Sequence, residues 1–434
     1  MNIRSSIDTR PMTGYQWLIV AVITYLNALD GYDLVATAFA APHLSEEFGI
    51  GPATLGWVLS AALIGVGVGA AVLGPLADKF GRRTIVLVSL ILDIVGLVMT
   101  GFAGSAGTFI FWRLVTGIGV GGVLACVTVV ITEFSNLRFR GLATAIYASG
   151  YGLGATLCGV LAGRLIPNQG WEWIFFTGAI LSAVALLLAY VVLPESVDVL
   201  SARGDIDGVR RVAKRIGHGS DVELAPVVRS EKTPYSELVS PAFLATTVRL
   251  WIAFALVNFG FSFANSWTPK LLNESGMTAQ QGILGGIMIA FGGTIGSLIF
   301  GVLTTKVKPR TLLMVFAVLG AAALVAFIYC VDQPGVAFPL GILVGMLLNG
   351  CVTGMYTVTP LSYPSRLRAT GVGAALAVAR AGSVLGPLII GYLAQAGWGP
   401  KSLYVTSACV FVVSAVALAG LKPTETADSA KAAA

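Results

Sequence analysis

Twelve long apolar runs, separated by short polar segments, are the feature that most restricts what this chain can fold into. Each run has about the 20 residues that an α-helix needs to cross a bilayer. Only 11% of the 434 residues are charged, whereas about a quarter are charged in a soluble domain. The sequence therefore predicts an all-α polytopic membrane protein and excludes the soluble globular class. The predicted spans cover residues 16–40, 54–76, 84–104, 108–133, 141–164, 172–193, 246–270, 281–304, 311–331, 336–360, 368–394 and 401–421.

Lysine and arginine are distributed unevenly along the chain, and this distribution predicts the orientation of the helices. Of the 27 such residues, only Arg164, Lys270 and Lys401 fall in predicted outer loops, whereas Arg113 and Arg380 lie inside spans. All the others fall in segments on the same side as both termini, which we therefore expect in the cytoplasm. The net charge of +6 follows from this topology and does not indicate a nucleic-acid partner.

A weak sequence repeat divides the chain into two halves. Residues 74–84 (Gly-Pro-Leu-Ala-Asp-Lys-Phe-Gly-Arg-Arg-Thr) recur in weaker form at 301–311, and Arg-Phe-Arg at 138–140 recurs as Arg-Leu-Arg at 366–368. Two six-helix repeats are a known arrangement in transporters, with the substrate near the midplane of the bilayer. The predicted domains are two six-helix halves at 1–193 and 246–421, a cytoplasmic linker at 194–245 and a cytoplasmic tail at 422–434.

Two segments of the first half resemble motifs of the major facilitator superfamily. Residues 74–83 resemble the loop between its second and third helices. Residues 113–119 (Arg-Leu-Val-Thr-Gly-Ile-Gly) resemble a motif of its fourth helix. The resemblance implies the major facilitator fold, with twelve transmembrane helices in two pseudo-symmetric halves.

The first span contains the element Asp-Gly-Tyr-Asp at 30–33, which is similar to an element of the aromatic acid:proton symporter family. Trp-Thr-Pro at 267–269 and Tyr-Pro-Ser-Arg-Leu-Arg-Ala-Thr-Gly at 363–371 share this similarity. The resemblance implies proton-coupled import of a benzoate-, hydroxybenzoate- or gentisate-like anion across a bacterial inner membrane, without a cofactor. The implied partners are that anion, protons and the lipid bilayer, and we expect a monomer. Thr305 departs from the superfamily pattern, which often has an acidic residue there.

Asp30 and Asp33 are three residues apart, so they share roughly one face of a helix. Two neighbouring carboxylates in a low dielectric cannot both ionise cheaply, so one of them is expected to hold a proton. Intramembrane acids often form proton relays, which favours a role in proton coupling. A structural pair, bonded to the backbone or to an arginine, is the alternative. Asp93 in the third span has no counterpart in the resemblance, and its role stays open.

Arg113 in the fourth span and Arg380 in the eleventh are the predicted ligands of the substrate carboxylate. A guanidinium group stays charged inside a protein, and its fork matches a carboxylate. One arginine comes from each half, so an anion bound by both would bridge the halves. For Arg113 a structural ion pair with Asp30, Asp33 or Asp93 is the alternative.

An aromatic acid also needs a flat apolar slot with a few polar groups to bind the ring substituents. Aromatic and amide side chains in the fifth, seventh and tenth spans are candidates for its lining, although each taken alone also fits plain helix packing. The candidate pocket residues are Tyr147, Tyr151, Asn258, Phe259, Phe263, Asn349 and Tyr356.

The segment 74–83 is predicted to form a cytoplasmic gate. Asp78 is expected to cap the N-terminus of a facing helix, that of span eleven, and Arg82 is expected to pair with Glu133. Such contacts would hold an outward-open state until protonation or substrate releases them. The alternative, that the basic residues only follow the positive-inside rule, leaves Asp78 unexplained. The candidate gate residues are Gly74, Asp78, Gly81, Arg82, Arg83 and Glu133.

Other functions also fit parts of the sequence. Proton-driven drug exporters commonly have a proline-containing motif in the fifth span, whereas residues 150–159 contain no proline, which favours import. Symport of another acid, such as shikimate or a dicarboxylate, would fit the charged residues equally well. An intramembrane enzyme or a receptor is disfavoured, because the sequence shows no nucleophile–base pair, metal-site spacing or appended signalling domain.

Overall fold

The structure is a computed structural model that describes residues 3–217 and 235–421. The twelve predicted spans are confirmed, because the described residues form twelve helices long and apolar enough to cross a membrane. Three short helices and one 3₁₀ turn, Tyr235–Val239, accompany them. The helices are α1 Ile3–Thr9, α2 Gly14–Glu47, α3 Pro52–Phe80, α4 Arg82–Gly101, α5 Ala106–Phe134, α6 Arg140–Gln169, α7 Glu172–Val192, α8 Val197–Ala202, α9 Ile206–Arg215, α10 Leu244–Glu274, α11 Ala279–Leu303, α12 Pro309–Tyr329, α13 Pro334–Leu361, α14 Ser365–Gln395 and α15 Pro400–Ala419.

Several helices extend beyond the apolar runs that predicted them, and local capping explains where they begin. Ser105 begins α5 and Thr278 begins α11, each with a capping box in which side chain and backbone satisfy each other's free groups. Gly81 separates α3 from α4 at φ 100°, a backbone conformation that a residue with a Cβ adopts only under strain. Hydropathy locates the membrane-spanning part of a helix, whereas caps and glycines locate its ends.

Packing divides the chain into two compact units, which comprise residues 1–36 with 61–230 and residues 37–60 with 231–434. In the first unit, α4 packs on α5 and α7. In the second unit, α11 packs on α13, α10 on α14 and α12 on α15. Residues 37–60 belong to the second unit, in which the Ser60 hydroxyl donates to the Val384 carbonyl at 3.0 Å. The predicted tail at 422–434 and linker residues 218–234 lie outside the described residues.

Residues 194–217 of the predicted linker contain α8 and α9, which pack in the core of the first unit, whereas residues 235–245 belong to the second unit. Asp205 caps α9 by accepting a hydrogen bond from the Gly208 amide at 2.8 Å. Val209 and Val212 of α9 are buried in the same apolar core as Ile3 and Ile7 of α1. The sequence analysis missed α8 and α9, although the alternation of apolar and charged residues in 206–215 is typical of an amphipathic helix.

Candidate functional site

Asp33 of α2 and Arg113 of α5 form a buried ion pair in the first unit. Arg113 donates from Nη1 to Asp33 Oδ1 at 2.5 Å and from Nη2 to Oδ2 at 3.1 Å. Nη2 also donates to the Asp33 main-chain carbonyl at 3.0 Å, and the Phe175 ring lies 5.6 Å from the guanidinium carbon. Both charged residues are almost inaccessible, with 1% of Arg113 and 5% of Asp33 exposed. Of the alternatives open from the sequence, the structure shows Arg113 paired with Asp33.

Asp93 of α4 lies beside this pair and was not assigned from the sequence. Its Oδ2 accepts a hydrogen bond from the Ser182 hydroxyl of α7 at 2.6 Å, and only 4% of the residue is exposed. Asp30, Asp33 and Arg113 are all within electrostatic range of it. Nothing in the sequence indicated Ser182, because a lone serine in an apolar span carries no pattern. We refer to Asp30, Asp33, Asp93, Arg113 and Ser182 as the charged cluster.

Close contact between α2 and α6 fixes the position of the cluster's first helix. A side chain at Gly31 would overlap the backbone carbonyl of Tyr151, and one at Gly154 would overlap that of Ala28. The Asn27 amide, on the same helix, donates to the Tyr147 carbonyl at 2.8 Å. The glycine between the two first-span acids therefore permits a neighbouring helix to approach closely. Tyr147 and Tyr151 are both half-buried on α6.

Arg380 of α14 differs from Arg113 in its surroundings. Its side chain is exposed, and no ion pair between described residues includes it. Three residues further along α14, the Ser383 hydroxyl donates to the amide oxygen of Asn258 at 3.3 Å. Because Arg380 has no carboxylate partner among the described residues, its guanidinium is available to an external anion.

The candidate aromatic and amide residues of the second unit are placed unequally. The Asn349 amide donates to the Gly293 carbonyl at 2.7 Å and to the Ser297 hydroxyl at 3.0 Å. Tyr356 is 49% exposed and meets Phe254 edge to face at 5.4 Å between ring centroids. In contrast, Phe263 is fully buried against Tyr404, with centroids 5.1 Å apart.

The candidate pocket residues of the second unit differ in whether a ligand could reach them. Phe263 packs helices together, and Phe259 is only 9% exposed. Asn258, Asn349 and Tyr356 keep accessible surface. They are therefore the members of the second-unit set that could contact a bound molecule in this conformation.

The predicted gate segment takes part in an ionic network at one end of the first unit. Arg82 forms the expected ion pair with Glu133 of α5, which is 1% exposed, and a second pair with Asp78 at 3.5 Å. The sequence analysis missed Ser196, whose hydroxyl donates to Glu133 at 3.1 Å and accepts from Arg82 at 3.1 Å. It also missed Glu195, which accepts a hydrogen bond from the Arg83 amide at 3.2 Å.

The remaining residues of the predicted gate segment differ in how they contact their surroundings. Gly81, at its positive φ, brings the backbone against the Glu195 carboxylate, and a Cβ there would overlap that group. Gly74 meets only the Ala125 side chain, at an ordinary distance of 3.5 Å from an added Cβ. Asp78 contacts Arg82, its neighbour one turn away, and its side chain is 73% exposed. The cap on span eleven stays a prediction.

Comparison with known proteins identifies the class of protein. Residues 22–380 match the Major Facilitator Superfamily. The chain belongs to this superfamily, and it is a multi-pass membrane transporter rather than an enzyme.

Individual relatives cover nearly the whole chain. The 4-hydroxybenzoate transporter PcaK of Pseudomonas putida is 30% identical over 410 residues, which are 92% of this chain and 90% of the relative. The gallate transporter of Pseudomonas putida is 27% identical over 410 residues, covering 93% and 91%. The similarity to aromatic acid transporters that the motifs indicated is confirmed. A partially occluded, inward-open structure of the xylose transporter XylE from E. coli has a TM-score of 0.75 at 18% identity over 95% of this chain and 99% of that one, which supports the fold alone.

Proposed function

We propose that this chain is a proton-coupled symporter that imports a small aromatic carboxylate by alternating access, with both termini in the cytoplasm. The observation that carries the proposal is the contrast between its two intramembrane arginines. Arg113 is held by Asp33 inside the first unit, whereas Arg380 in the second unit is exposed and has no described carboxylate partner. In the first arrangement, protonation of Asp33 would release the guanidinium of Arg113. In the second, the guanidinium of Arg380 can bind the carboxylate of the substrate.

Coupling follows from competition for Arg113. While Asp33 is ionised, its carboxylate uses both Nη atoms of Arg113. If Asp33 takes up a proton, it no longer balances the guanidinium charge, and a buried cation without a counter-ion is costly. A substrate carboxylate would then restore the balance. In this scheme a proton and an anion enter together, so the cluster keeps its net charge through the binding step.

Arg380 supplies the first contact for the substrate carboxylate in this proposal. A guanidinium–carboxylate pair is charge-assisted and can be bidentate, which gives it both strength and orientation. Ser383 follows Arg380 by three residues on α14 and is bonded to Asn258 of α10, and this amide and hydroxyl suit polar ring substituents. The transporters for gallate and 4-hydroxybenzoate among the relatives act on ligands of this chemistry, a carboxylate on a hydroxylated ring.

The ionic network around Arg82 completes the proposal as a gate on the cytoplasmic side. The distribution of lysine and arginine supports a cytoplasmic position for this end of the first unit. A buried pair such as Arg82–Glu133 has few stable alternatives once formed, so it favours one of two discrete states. One chain contains both halves of the fold, and we propose that a monomer is the transport unit.

Uptake into right-side-out membrane vesicles tests the function directly. The probes are radiolabelled benzoate, 4-hydroxybenzoate and gallate, with shikimate and succinate as non-aromatic acids. We expect an imposed inward pH gradient to drive accumulation of at least one aromatic acid, and a protonophore to abolish it. Gradient-driven uptake of shikimate or succinate alone would overturn the aromatic assignment, and pH-independent uptake would overturn the coupling. Proton-driven loss from preloaded vesicles would instead identify an exporter.

A further inference from the structure

Asp93 is a buried ionisable residue of the charged cluster, and the proposed function gives it no task. Its Oδ2 accepts the Ser182 hydrogen bond, whereas its Oδ1 is buried and has no hydrogen-bond partner among residues 3–217 and 235–421. No ion pair between described residues includes Asp93. The one intramembrane cation in range, Arg113, already gives both Nη atoms to Asp33.

An ionised Asp93 would be expensive in these surroundings. A buried carboxylate without a counter-ion is costly, and such a group usually takes up a proton instead. The charged groups near it are Asp30 and Asp33 on α2 and Arg113 on α5, while α7 contributes the uncharged Ser182. Because Asp33 cancels the charge of Arg113, the pair gives Asp93 no net cation to balance. Ser182 stabilises either form, since a carboxylic acid also accepts a hydrogen bond at its carbonyl oxygen.

From this geometry we infer that Asp93 is a proton-binding site of the transporter, and that it holds its proton while Asp33 holds Arg113. In this state Asp33, Arg113 and Asp93 together carry no net charge, because they are one carboxylate, one guanidinium and one neutral acid. If Asp93 loses the proton, it becomes a second anion competing for the same guanidinium. If Asp33 then gains that proton, Arg113 can change partners without any change in total charge.

This role of Asp93 rests on the proposed function and extends it, because Asp93 would bind a proton inside the first unit before the substrate binds. Asp33 and Asp93 lie on two different helices that share one cation, so a proton can move between them as Arg113 changes partner. The protonation of Asp93 itself does not depend on which substrate is carried. Its test can therefore fail or succeed independently of the proposed function.

Infrared spectroscopy of the purified full-length protein in lipid nanodiscs tests the protonation directly. At neutral pH we expect a carboxylic acid C=O stretching band in wild type that is missing from Asp93→Asn. Ser182→Ala should keep the band but move it to higher frequency, because the carbonyl oxygen loses its hydroxyl donor. Glu133→Gln is the matched control, since that buried carboxylate pairs with Arg82 and should contribute no such band.

Two outcomes of the spectra would overturn the inference. A band of equal size in wild type and Asp93→Asn would mean that Asp93 is ionised. A band that does not move in Ser182→Ala would mean that it arises from another acid, and this variant decides the question if Asp93→Asn fails to fold.

Transport in proteoliposomes tests whether the proton on Asp93 is used. With radiolabelled 4-hydroxybenzoate, Asp93→Asn should retain exchange between internal and external substrate but lose accumulation driven by a pH gradient. Full accumulation by this variant would remove Asp93 from the coupling. If wild type transports neither 4-hydroxybenzoate nor benzoate, the proposed function fails, while the infrared result still decides the protonation of Asp93.

Discussion

The two units contain the same loop repeat, in which one arginine has the same role in both units and the acidic part differs. In the first unit Arg83 donates from Nη2 to the Tyr190 carbonyl at 2.7 Å, near the end of α7. In the second unit the equivalent Arg310 donates to the Leu418 carbonyl at 3.0 Å, near the end of α15, and also to those of Ala419 and Leu421. Both arginines therefore cap the last membrane-spanning helix of their unit, where carbonyls have no helical partner.

The acidic part of the loop is found only in the first unit. Asp78 and Arg82, which belong to the network around Glu133, correspond to Thr305 and Pro309 in the second unit. The interior charges are divided in the same way, because the three acids of the charged cluster are in the first unit. The arginine cap is thus the shared structural element of the repeat, while we propose that proton chemistry belongs to the first unit and anion recognition to the second.

Asp33→Asn should have the largest effect, and it tests whether the first unit carries the proton coupling. It removes the counter-ion of a buried arginine, which typically destabilises a protein by about 3–5 kcal/mol. We expect a lower melting temperature and no accumulation driven by a pH gradient, measured by thermal unfolding and by vesicle uptake. Asp8→Asn is the matched control, because the Asp8–Arg140 pair at 2.6 Å is partly exposed and should contribute little. Full gradient-driven uptake by Asp33→Asn would refute the role of the first unit.

Arg380→Gln tests the proposed role of the second unit in binding the substrate carboxylate. Loss of a hydrogen bond between charged groups costs about 1.5–3 kcal/mol, so the KM for an aromatic carboxylate should rise by about tenfold or more. The melting temperature should stay near that of wild type, because Arg380 is exposed and has no described ion pair. An equal loss of affinity for the neutral analogue benzamide, measured by competition, would show that Arg380 acts through structure alone.

Arg310→Gln probes the structural element that the units share. The hydrogen bonds from Arg310 to the end of α15 involve a charged donor, so their loss should cost about 1–3 kcal/mol of stability. Uptake per folded molecule should be unchanged, which is measured by normalising initial rates to the amount of monodisperse protein. A change in pH dependence, rather than in stability, would mean that the second-unit loop also participates in coupling.

Thr305→Asp restores an acid at the second-unit position that corresponds to Asp78. Thr305 is exposed and donates its hydroxyl to the Val302 carbonyl of its own turn at 2.7 Å. Since Pro309 occupies the place of Arg82, the new carboxylate would have no equivalent partner. We expect a stability change within about 0.5 kcal/mol, as for most surface substitutions, and unaltered uptake. A marked effect in either assay would indicate that the acid alone is sufficient to build a gate.

The features that could be predicted from the sequence are those with a strong local signal. Long apolar runs predicted the twelve helices, and the expected pairing of Arg82 with Glu133 is present. The sequence alone could not show which of the three acids pairs with Arg113. The answer depends on how the helices that carry the acids are rotated relative to α5. Ser182 and Ser196 carry no signal by themselves, since a serine is recognisable as a ligand only after packing brings a carboxylate to it.

The helix α9 was missed for a different reason. Its 10 residues are too few for a span, and a polar segment between two halves was interpreted as a linker. The burial of Val209 and Val212 could be recognised only once packing had placed them in the same apolar core as Ile3 and Ile7.

The apolar core that the beginning of the chain shares with residues 209–216 has a consequence for biosynthesis. Six membrane helices can enter the bilayer as they leave the ribosome, but the core that includes Ile3, Ile7, Val209 and Ile216 cannot form until the segment after α7 has been translated. A nascent chain ending at residue 193 would lack the residues of α8 and α9 that complete this core. The first unit is thus finished by residues that the sequence had assigned to the connection, and its apolar core closes only after residue 216 has been synthesised.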